Sequence, residues 1–361
     1  MKIGIIGLPN SGKTTVFNAL TRGTIETAAY SSGQIEPNMA MVKVPDERLD
    51  ALAKLYKPKK FTPTDVQYID VAGMNSGASS SGGLSPQFLN YISQVDALLH
   101  VVRAFEDDNV SHEQGSVDAA RDLASVDLEL MFSDMAIIER RVTRLKGEIG
   151  KMQPKDREIR QLELVALERL YAGLEAEQPI RAQDPLNEDE ARALRGFQFL
   201  SAKPMLIVVN IGESQLQSPP AIDYNSPNTA VVALAGQVEA ELAQLDDEDG
   251  KAFMDDLGIS EPARDLVIKA SYAMLGLMSF LTAGDDEVRA WTIRKGTPAA
   301  EAAGAIHSDI QRGFIRAEIV AFDDLMAAGD MAAAKKLGTV RLEGKTYIVK
   351  DGDIAHFLFN V

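Results

Sequence analysis

At 361 residues the chain has length for two or three domains, and its apolar and charged fractions, 45% and 25%, are those of an ordinary globular protein. The absence of cysteine excludes disulfides, iron–sulfur clusters and thiolate zinc sites. A formal net charge of −16 argues against sequence-independent coating of nucleic acid, and no apolar run reads as a membrane span or a signal peptide, so a cytoplasmic protein without membrane or DNA partners is expected. A local basic patch remains compatible with docking on RNA.

Residues 2–6 read as a short buried strand. Gly7-Leu8-Pro9-Asn10-Ser11-Gly12-Lys13-Thr14 follows as a complete G-x-x-x-x-G-K-T loop, and residues 15–20 open a helix. In that context the backbone N–H groups of the loop and helix start point at a phosphate, which makes Asn10, Ser11, Gly12, Lys13, Thr14 and Thr15 nucleotide-binding candidates. Lys13 neutralises the β- and γ-phosphates, and the Thr14 hydroxyl ligates Mg²⁺. A second strand, 66–69, ends in Asp70-Val71-Ala72-Gly73. This is the D-x-x-G pattern in which the Asp reaches Mg²⁺ through water and the Gly amide senses the γ-phosphate.

Residues 96–103 and 204–210 read as further buried strands, and the latter ends in Asn210-Ile211-Gly212-Glu213. A guanine-reading N-K-x-D would stand there, its Asp accepting from guanine N1–H and N2–H₂. Ile211 and the longer Glu213 compromise that pairing, whereas an Asn amide can meet the N6 donor and N7 acceptor of adenine. The expected base is adenine; the alternative is that Asn210 only caps a strand end.

Between the third and fourth strands, apolar residues at Leu128, Met131, Met135, Ile138, Val142, Leu145 and Ile149 form a heptad seam. Pro154 breaks it, and a second stripe follows through Ile159, Leu162, Ala166 and Leu170. The pattern predicts an antiparallel helical hairpin over 123–196, inserted into an α/β nucleotide domain formed by 1–122 and 197–277. Arg140, Arg141, Arg144 and Lys146 lie off the seam and read as a solvated face, as do Lys54, Lys57, Lys59 and Lys60 at a helix end, with RNA contact the alternative for both clusters. Residues 278–361 read as strand 288–293, helix 298–309, strands 315–320 and 338–342, and a terminal hairpin of 346–350 and 354–359 turned at Asp351-Gly352. That order suits a small β-grasp resembling a TGS domain. His307 and His356 lack ligand-spaced partners and read as structural, and Trp291 as core or a partner contact.

With these elements in place the chain resembles the YchF family, the Obg-like ATPases of the translation-factor GTPase class, over its whole length. The resemblance rests on Gly7-Leu8-Pro9-Asn10, Ile35-Glu36-Pro37-Asn38, Asp70-Val71-Ala72-Gly73, Gly77-Ala78-Ser79 and Arg103-Ala104-Phe105-Glu106-Asp107-Asp108. Further along it rests on the N-x-x-E of Asn210 and Glu213, on Leu245-Asp246-Asp247-Glu248, Gly313-Phe314-Ile315-Arg316-Ala317-Glu318 and Asp351-Gly352-Asp353. It implies a Ras-like P-loop fold, ATP binding with slow hydrolysis, and association with the ribosome, on the large subunit or rRNA, through the hairpin and the TGS domain. It also implies that the backbone at Ala235-Gly236-Gln237 edges the base.

Three departures accompany the resemblance. Gln34 stands where the family carries the switch threonine, so the third Mg²⁺ ligand is a weak one. The second switch is the uncharged Ser80-Ser81-Gly82-Gly83-Leu84-Ser85, and the base-edge loop is Ala235-Gly236-Gln237 where relatives read Cys-Ala-Ala, a change that backbone amides tolerate. Separately, Met74 follows D-x-x-G where Ras-like enzymes place a water-orienting Gln. Two suppliers could replace that Gln. His112 matches the family's histidine loop and can position water, or stand as a solvated loop residue; Asn10 matches the asparagine that holds K⁺ in potassium-activated translation GTPases, or is a plain loop residue. Three function classes follow: a slow ATPase switch, a nucleotide-stabilised scaffold with negligible turnover, and a small-molecule kinase, the last fitting poorly because no arginine-rich lid is visible. An ordinary GTPase is the alternative within the first class.

Overall fold

The computed structural model describes residues 1–23, 37–71 and 84–360, which fall into two compact units, Met1–Ala40 with Gln67–Val267 and Met41–Val66 with Ile268–Val361. The first unit is built on β1 (Lys2–Ile6), β2 (Asn38–Lys43), β4 (Asp65–Asp70), β5 (Ala97–Arg103), β6 (Met205–Asn210) and β7 (Thr229–Leu234); the short β3 (Lys60–Thr62) belongs to the second. The sheet order is β2-β4-β1-β5-β6-β7, with β1 parallel to β4 and β5, β5 to β6, and β6 to β7. Every residue of β5 and β6 is buried, as expected of parallel strands covered on both faces. The chain winds outward from β1 in both directions, so Ile6, Asp70, Arg103, Asn210 and Leu234 reach the same carboxyl edge, where α/β folds bind ligands.

Helices α1 (Lys13–Thr21) and α3 (Pro86–Ser93) belong to this unit, α3 opened by the Ser85 hydroxyl on the Phe88 N–H and by Pro86 in its first turn. The inserted segment is α4 (Ala119–Glu148), 30 residues, a single 3₁₀ turn, and α5 (Pro154–Glu175). All seven residues of the α4 seam pack in one apolar cluster with Leu164, Ala166, Leu167, Leu170 and Leu174. Of the expected second stripe, Ala166 and Leu170 join this cluster, whereas Ile159 is 52% exposed. The packed face also holds Glu163, a buried carboxylate that Arg141 and Arg160 each hold at 2.6 Å. Arg141 is therefore an ion-pair partner rather than part of a solvated face, while Arg140, Arg144 and Lys146 are exposed.

Two buried carboxylates fasten α4 to the strand-bearing part of the unit. Asp134 accepts the backbone N–H groups of Leu200 (2.9 Å) and Ser201 (2.7 Å). Asp127 is bonded to Arg181 and to the Tyr224 hydroxyl, which are themselves 2.6 Å apart. The unit is completed by α6 (Glu188–Ala193), α7 (Gly236–Leu242), α8 (Asp247–Leu257) and the start of α9 (Ala263–Met274).

The second unit contains α2 (Glu47–Tyr56), β3, β8 (Leu277–Ala283), β9 (Glu287–Arg294), α10 (Ala299–Ile306), α11 (Ser308–Arg312), β10 (Phe314–Val320), α12 (Phe322–Ala328), α13 (Met331–Leu337), β11 (Arg341–Glu343) and β12 (Ile354–Phe359). Its mixed sheet runs β11-β10-β12-β8-β9-β3. One face packs Phe280, Ile293 and Phe357 on α10, and the other packs Leu281, Val288 and Ile354 on α2, α12 and α13. Residues 41–66, expected within the nucleotide domain, cluster here because β3 pairs with β9 and Leu49 and Leu52 enter this core. Lys59 and Lys60 pair with Asp286 and Glu287.

The expected terminal hairpin does not form. β12 is flanked instead by β10 and β8, and residues 346–350 contribute only the bridge Ile348–Pro298. The Asp353 carboxylate takes the Lys350 N–H (2.9 Å) and the Tyr347 hydroxyl (2.8 Å), which holds that segment as a loop. His307 interrupts the expected helix and caps α11, and Trp291 stacks between Phe280 and Arg289. No helix among the described residues is long and apolar enough to cross a membrane.

Removing the Asp134 carboxylate leaves two buried backbone donors unpaired. Asp134→Ala should therefore lower the unfolding free energy by roughly 2–4 kcal/mol, read from the shift in a urea or guanidinium midpoint.

Candidate functional site

The phosphate loop closes between β1 and α1 through two backbone turns that only glycine fits. Gly7 has φ 148° and Gly12 φ 90°; a Cβ at Gly7 would strike the Val101 carbonyl, and one at Gly12 the Asn210 amide. Asn10 also takes a left-handed φ, 60°, and its amide nitrogen donates to the Ser111 carbonyl at 3.1 Å. Lys13 Nζ donates to the carbonyls of Gly7 (3.0 Å) and Leu8 (2.8 Å), curling over the loop that holds it. Burial lowers the Lys13 ammonium to about 8, against the attraction of Asp70 and Glu113. Ser11 Oγ is buried without a hydrogen-bond partner among the described residues.

Thr14 Oγ1 donates to Asp70 Oδ2 at 3.1 Å, which brings two of the three expected Mg²⁺-site residues into contact. Burial raises the Asp70 carboxyl, while Thr14, Lys13 and Asn38 pull it back down. One hydroxyl and one carboxylate make a small, hard oxygen set, which fits Mg²⁺ completed by phosphate oxygens and water rather than a full protein cage. Gly73, Gln34 and Met74 lie outside the described residues.

From Gly12 and Thr15 a cavity of about 1090 Å³ extends past Asn210, Ile211 and Glu213 to Ala235 and Gln237. Asn210 is buried between the two ends. Its Nδ2 donates to the Ser11 carbonyl (3.0 Å) and its Oδ1 accepts the Gly236 N–H (3.0 Å). The amide is thus already joined to both loops, and one donor and one acceptor site remain on it for a base. Ile211 points into the apolar core, and the exposed Glu213 supplies an acceptor-only carboxylate at the base end. The Gln215 side chain shapes this corner by accepting from Gly212 N–H (2.8 Å) and donating to the Ala104 carbonyl (3.1 Å).

The loop after β5 supplies residues that spacing alone did not single out. Arg103 is buried, and among the described residues it has no carboxylate partner. Its guanidinium donates to the carbonyls of Phe105, Asp107, Val110 and Ser111 and lies 4.5 Å from the Phe105 ring centroid. This fork fixes the segment whose Phe105 and Val110 wall the cavity. The signal was an Arg ending an apolar strand just before an aromatic residue. His112 follows on the same loop, but the structure does not bring its ring to the phosphate loop: its Nε2 bonds to Asp122 in the first turn of α4 at 2.8 Å.

Two family models match the chain. One described as a 50S ribosome-binding GTPase covers residues 2–138, and the C-terminal model for YchF GTPases, described as a protein of unknown function (DUF933), covers 277–360. The chain is similar to the ribosome-binding ATPase YchF of Bacillus subtilis, 44% identical over 366 residues with 99% of both chains covered. It is 43% identical to that of Escherichia coli O157:H7, covering 100% of this chain and 99% of the relative. Obg-like ATPase 1 of Caenorhabditis elegans is 37% identical, with 100% and 92% covered. The solved structure of the Schizosaccharomyces pombe YchF GTPase, 34% identical, matches with a TM-score of 0.85 over 99% of this chain and 97% of that one.

The position of Lys13 carries a pH signature. A polyanion binds the protonated ammonium, and in the free protein that form is lost as pH rises through about 8. Affinity for a nucleoside triphosphate should therefore be flat below that pH and fall about tenfold per pH unit above it, whereas Lys13→Met should bind weakly with no such fall; fluorescence titrations from pH 6.5 to 9.5 read both.

Proposed function

This chain belongs to the YchF family, and on that premise we propose that it binds Mg·ATP, hydrolyses it slowly, and uses the nucleotide state to control docking on the ribosome. The observation that carries the reading is the cavity joining the phosphate loop to Glu213, with Ile211 withdrawn into the core where a guanine-specific site has its lysine. The longer Glu213 reaches the N1–H and N2–H₂ edge of guanine poorly, the donor and acceptor left on the Asn210 amide suit N6 and N7 of adenine, and Phe105 offers an apolar wall to the ring.

Thr14 and Asp70, joined by Gln34, are the residues that would hold Mg²⁺, which when bound supplies positive charge to the β- and γ-phosphates. Lys13 leaves its carbonyl cradle for the phosphates, and the backbone N–H groups from Ser11 to Thr15 hold them, Gly12 allowing the close approach. The Asn10 carbonyl oxygen suits a K⁺ ion beside them, since its amide nitrogen is already bonded to Ser111. His112 is the group that positions water, with Gly73 sensing the γ-phosphate. The packed α4–α5 arm and the second unit, read as a TGS-type β-grasp, are the surfaces that meet the large subunit or its rRNA, in keeping with the names of the matched models and relatives.

One observation favours a second reading, a nucleotide-stabilised scaffold with negligible turnover: both ring nitrogens of His112 are engaged away from the phosphate loop. Titration with fluorescent ATP and GTP analogues, with Mg²⁺ present and then chelated, tests the base and the metal together. ATP should bind at least about tenfold more tightly than GTP, a difference of about 1.4 kcal/mol. Chelation should weaken ATP binding, and Thr14→Ala should remove that metal dependence. Equal or tighter GTP binding returns the chain to the ordinary GTPases. Phosphate release that ribosomes do not stimulate above a negligible rate leaves the scaffold.

A further inference from the structure

Both sequence neighbours of His112 engage the phosphate loop. The Ser111 carbonyl accepts from Asn10 at 3.1 Å, and the Glu113 carboxylate lies close enough to Lys13 to favour its charged form. The imidazole between them is bonded elsewhere. Its side chain is 8% exposed, and Nε2 lies 2.8 Å from Asp122 Oδ2. Nδ1 accepts the Gln114 N–H at 3.1 Å, so the ring proton is on Nε2 and is given to Asp122. A neutral imidazole has one donor and one acceptor, and both are in use.

Asp122 is itself immobilised. Arg121 holds its other oxygen through Nε (3.1 Å) and Nη2 (2.9 Å), and Arg121 in turn is fixed on Ser116. The loop backbone is anchored separately, by the Arg103 fork on four carbonyls. Freeing the His112 ring therefore requires loss of its bonds to Asp122 and to the Gln114 N–H, while the backbone of its loop is held independently.

We propose that Asp122 is a positioning residue that parks His112 on the first turn of α4, holding hydrolysis down until α4 is displaced. The proposal rests on the reading of His112 as the water-positioning group. Asp122 is carried by the same helix that forms one side of the arm, so a partner that loads the arm acts on the residue that restrains the histidine. The Gln114 contact is local to the loop and does not report on α4.

The test is steady-state and single-turnover ATP hydrolysis, without ribosomes, by the wild type, Asp122→Ala, Asp122→Asn, His112→Ala and the His112→Ala/Asp122→Ala double variant. Losing the charge-assisted bond should raise kcat about tenfold in Asp122→Ala, with KM and ATP affinity unchanged. Asp122→Asn, which keeps an acceptor, should fall between it and the wild type. In the His112→Ala background the Asp122 substitution should have no effect, which a merely structural role would not produce. A kcat for Asp122→Ala as low as that of His112→Ala would make Asp122 an orienting partner in the chemistry and overturn the proposal, as would an unchanged kcat. If His112→Ala hydrolyses at the wild-type rate, the histidine reading itself fails; if His112→Ala is inactive and Asp122→Ala is no faster than the wild type, only the restraint fails. Should Asp122→Ala lose ATP binding through misfolding, the isosteric Asp122→Asn carries the comparison.

Discussion

The side-chain amide of Asn210 joins three loops that lie far apart in the sequence. It stands at the end of β6, donates to the Ser11 carbonyl within the phosphate loop, and accepts from Gly236 at the start of α7. Each bond contributes about 1 kcal/mol when made, but a buried amide left unpaired costs more, so the three loops settle together. The glycines at 12 and 236 follow from the same contact, because a Cβ at either position would press on the Asn210 side chain. A phosphate-binding loop works by presenting N–H groups already in place, and this amide supplies much of that fixed geometry.

The charge of the molecule makes the geometry matter more. A protein of net charge −16 repels a nucleoside triphosphate at long range, so affinity depends on short-range donors. Lys13 is withdrawn among carbonyls, where burial depresses its ammonium. Arg103 is buried beside the same site but saturated by four carbonyls and an aromatic face. One cation is held by two carbonyls of the phosphate loop, and the other is locked into building the wall of the cavity.

Local chemistry was legible in the chain and long-range pairing was not. The phosphate loop, Asp70 and the N-x-x-E corner depend on residues a few positions apart, so their spacing carries their geometry. The α4 seam was likewise visible, since seven apolar residues at heptad spacing bury one face whatever they pack against. On α5 the stripe was legible at Ala166 and Leu170 but not at Glu163, which is polar by identity and buried through two arginines that periodicity cannot supply. The affiliation of 41–66 depends on β3 pairing with β9, more than two hundred residues away, and β8 was overlooked as a neighbour for β12, which is why a local hairpin was expected at the C-terminus. His112 was found by its place in the loop, but its engagement with Asp122 is a rotamer and a partner, and neither is written in the spacing of residues.

Along α4 apolar and charged contacts are divided between the two ends of the helix. Its distal seam is apolar and binds it to α5, an interaction that is strong but tolerates sliding. Its proximal part carries three buried carboxylates, Asp122, Asp127 and Asp134, and each is bonded to a different segment: His112 after β5, Arg181 after α5 together with Tyr224 before β7, and the backbone at Leu200 and Ser201 before β6. Hydrogen bonds to buried carboxylates are directional and are either made or lost over about an ångström. A helix seated by such bonds is placed by their geometry and not by apolar burial alone. The arm is held together by burial of apolar surface, and its orientation on the nucleotide-binding sheet is set by charge.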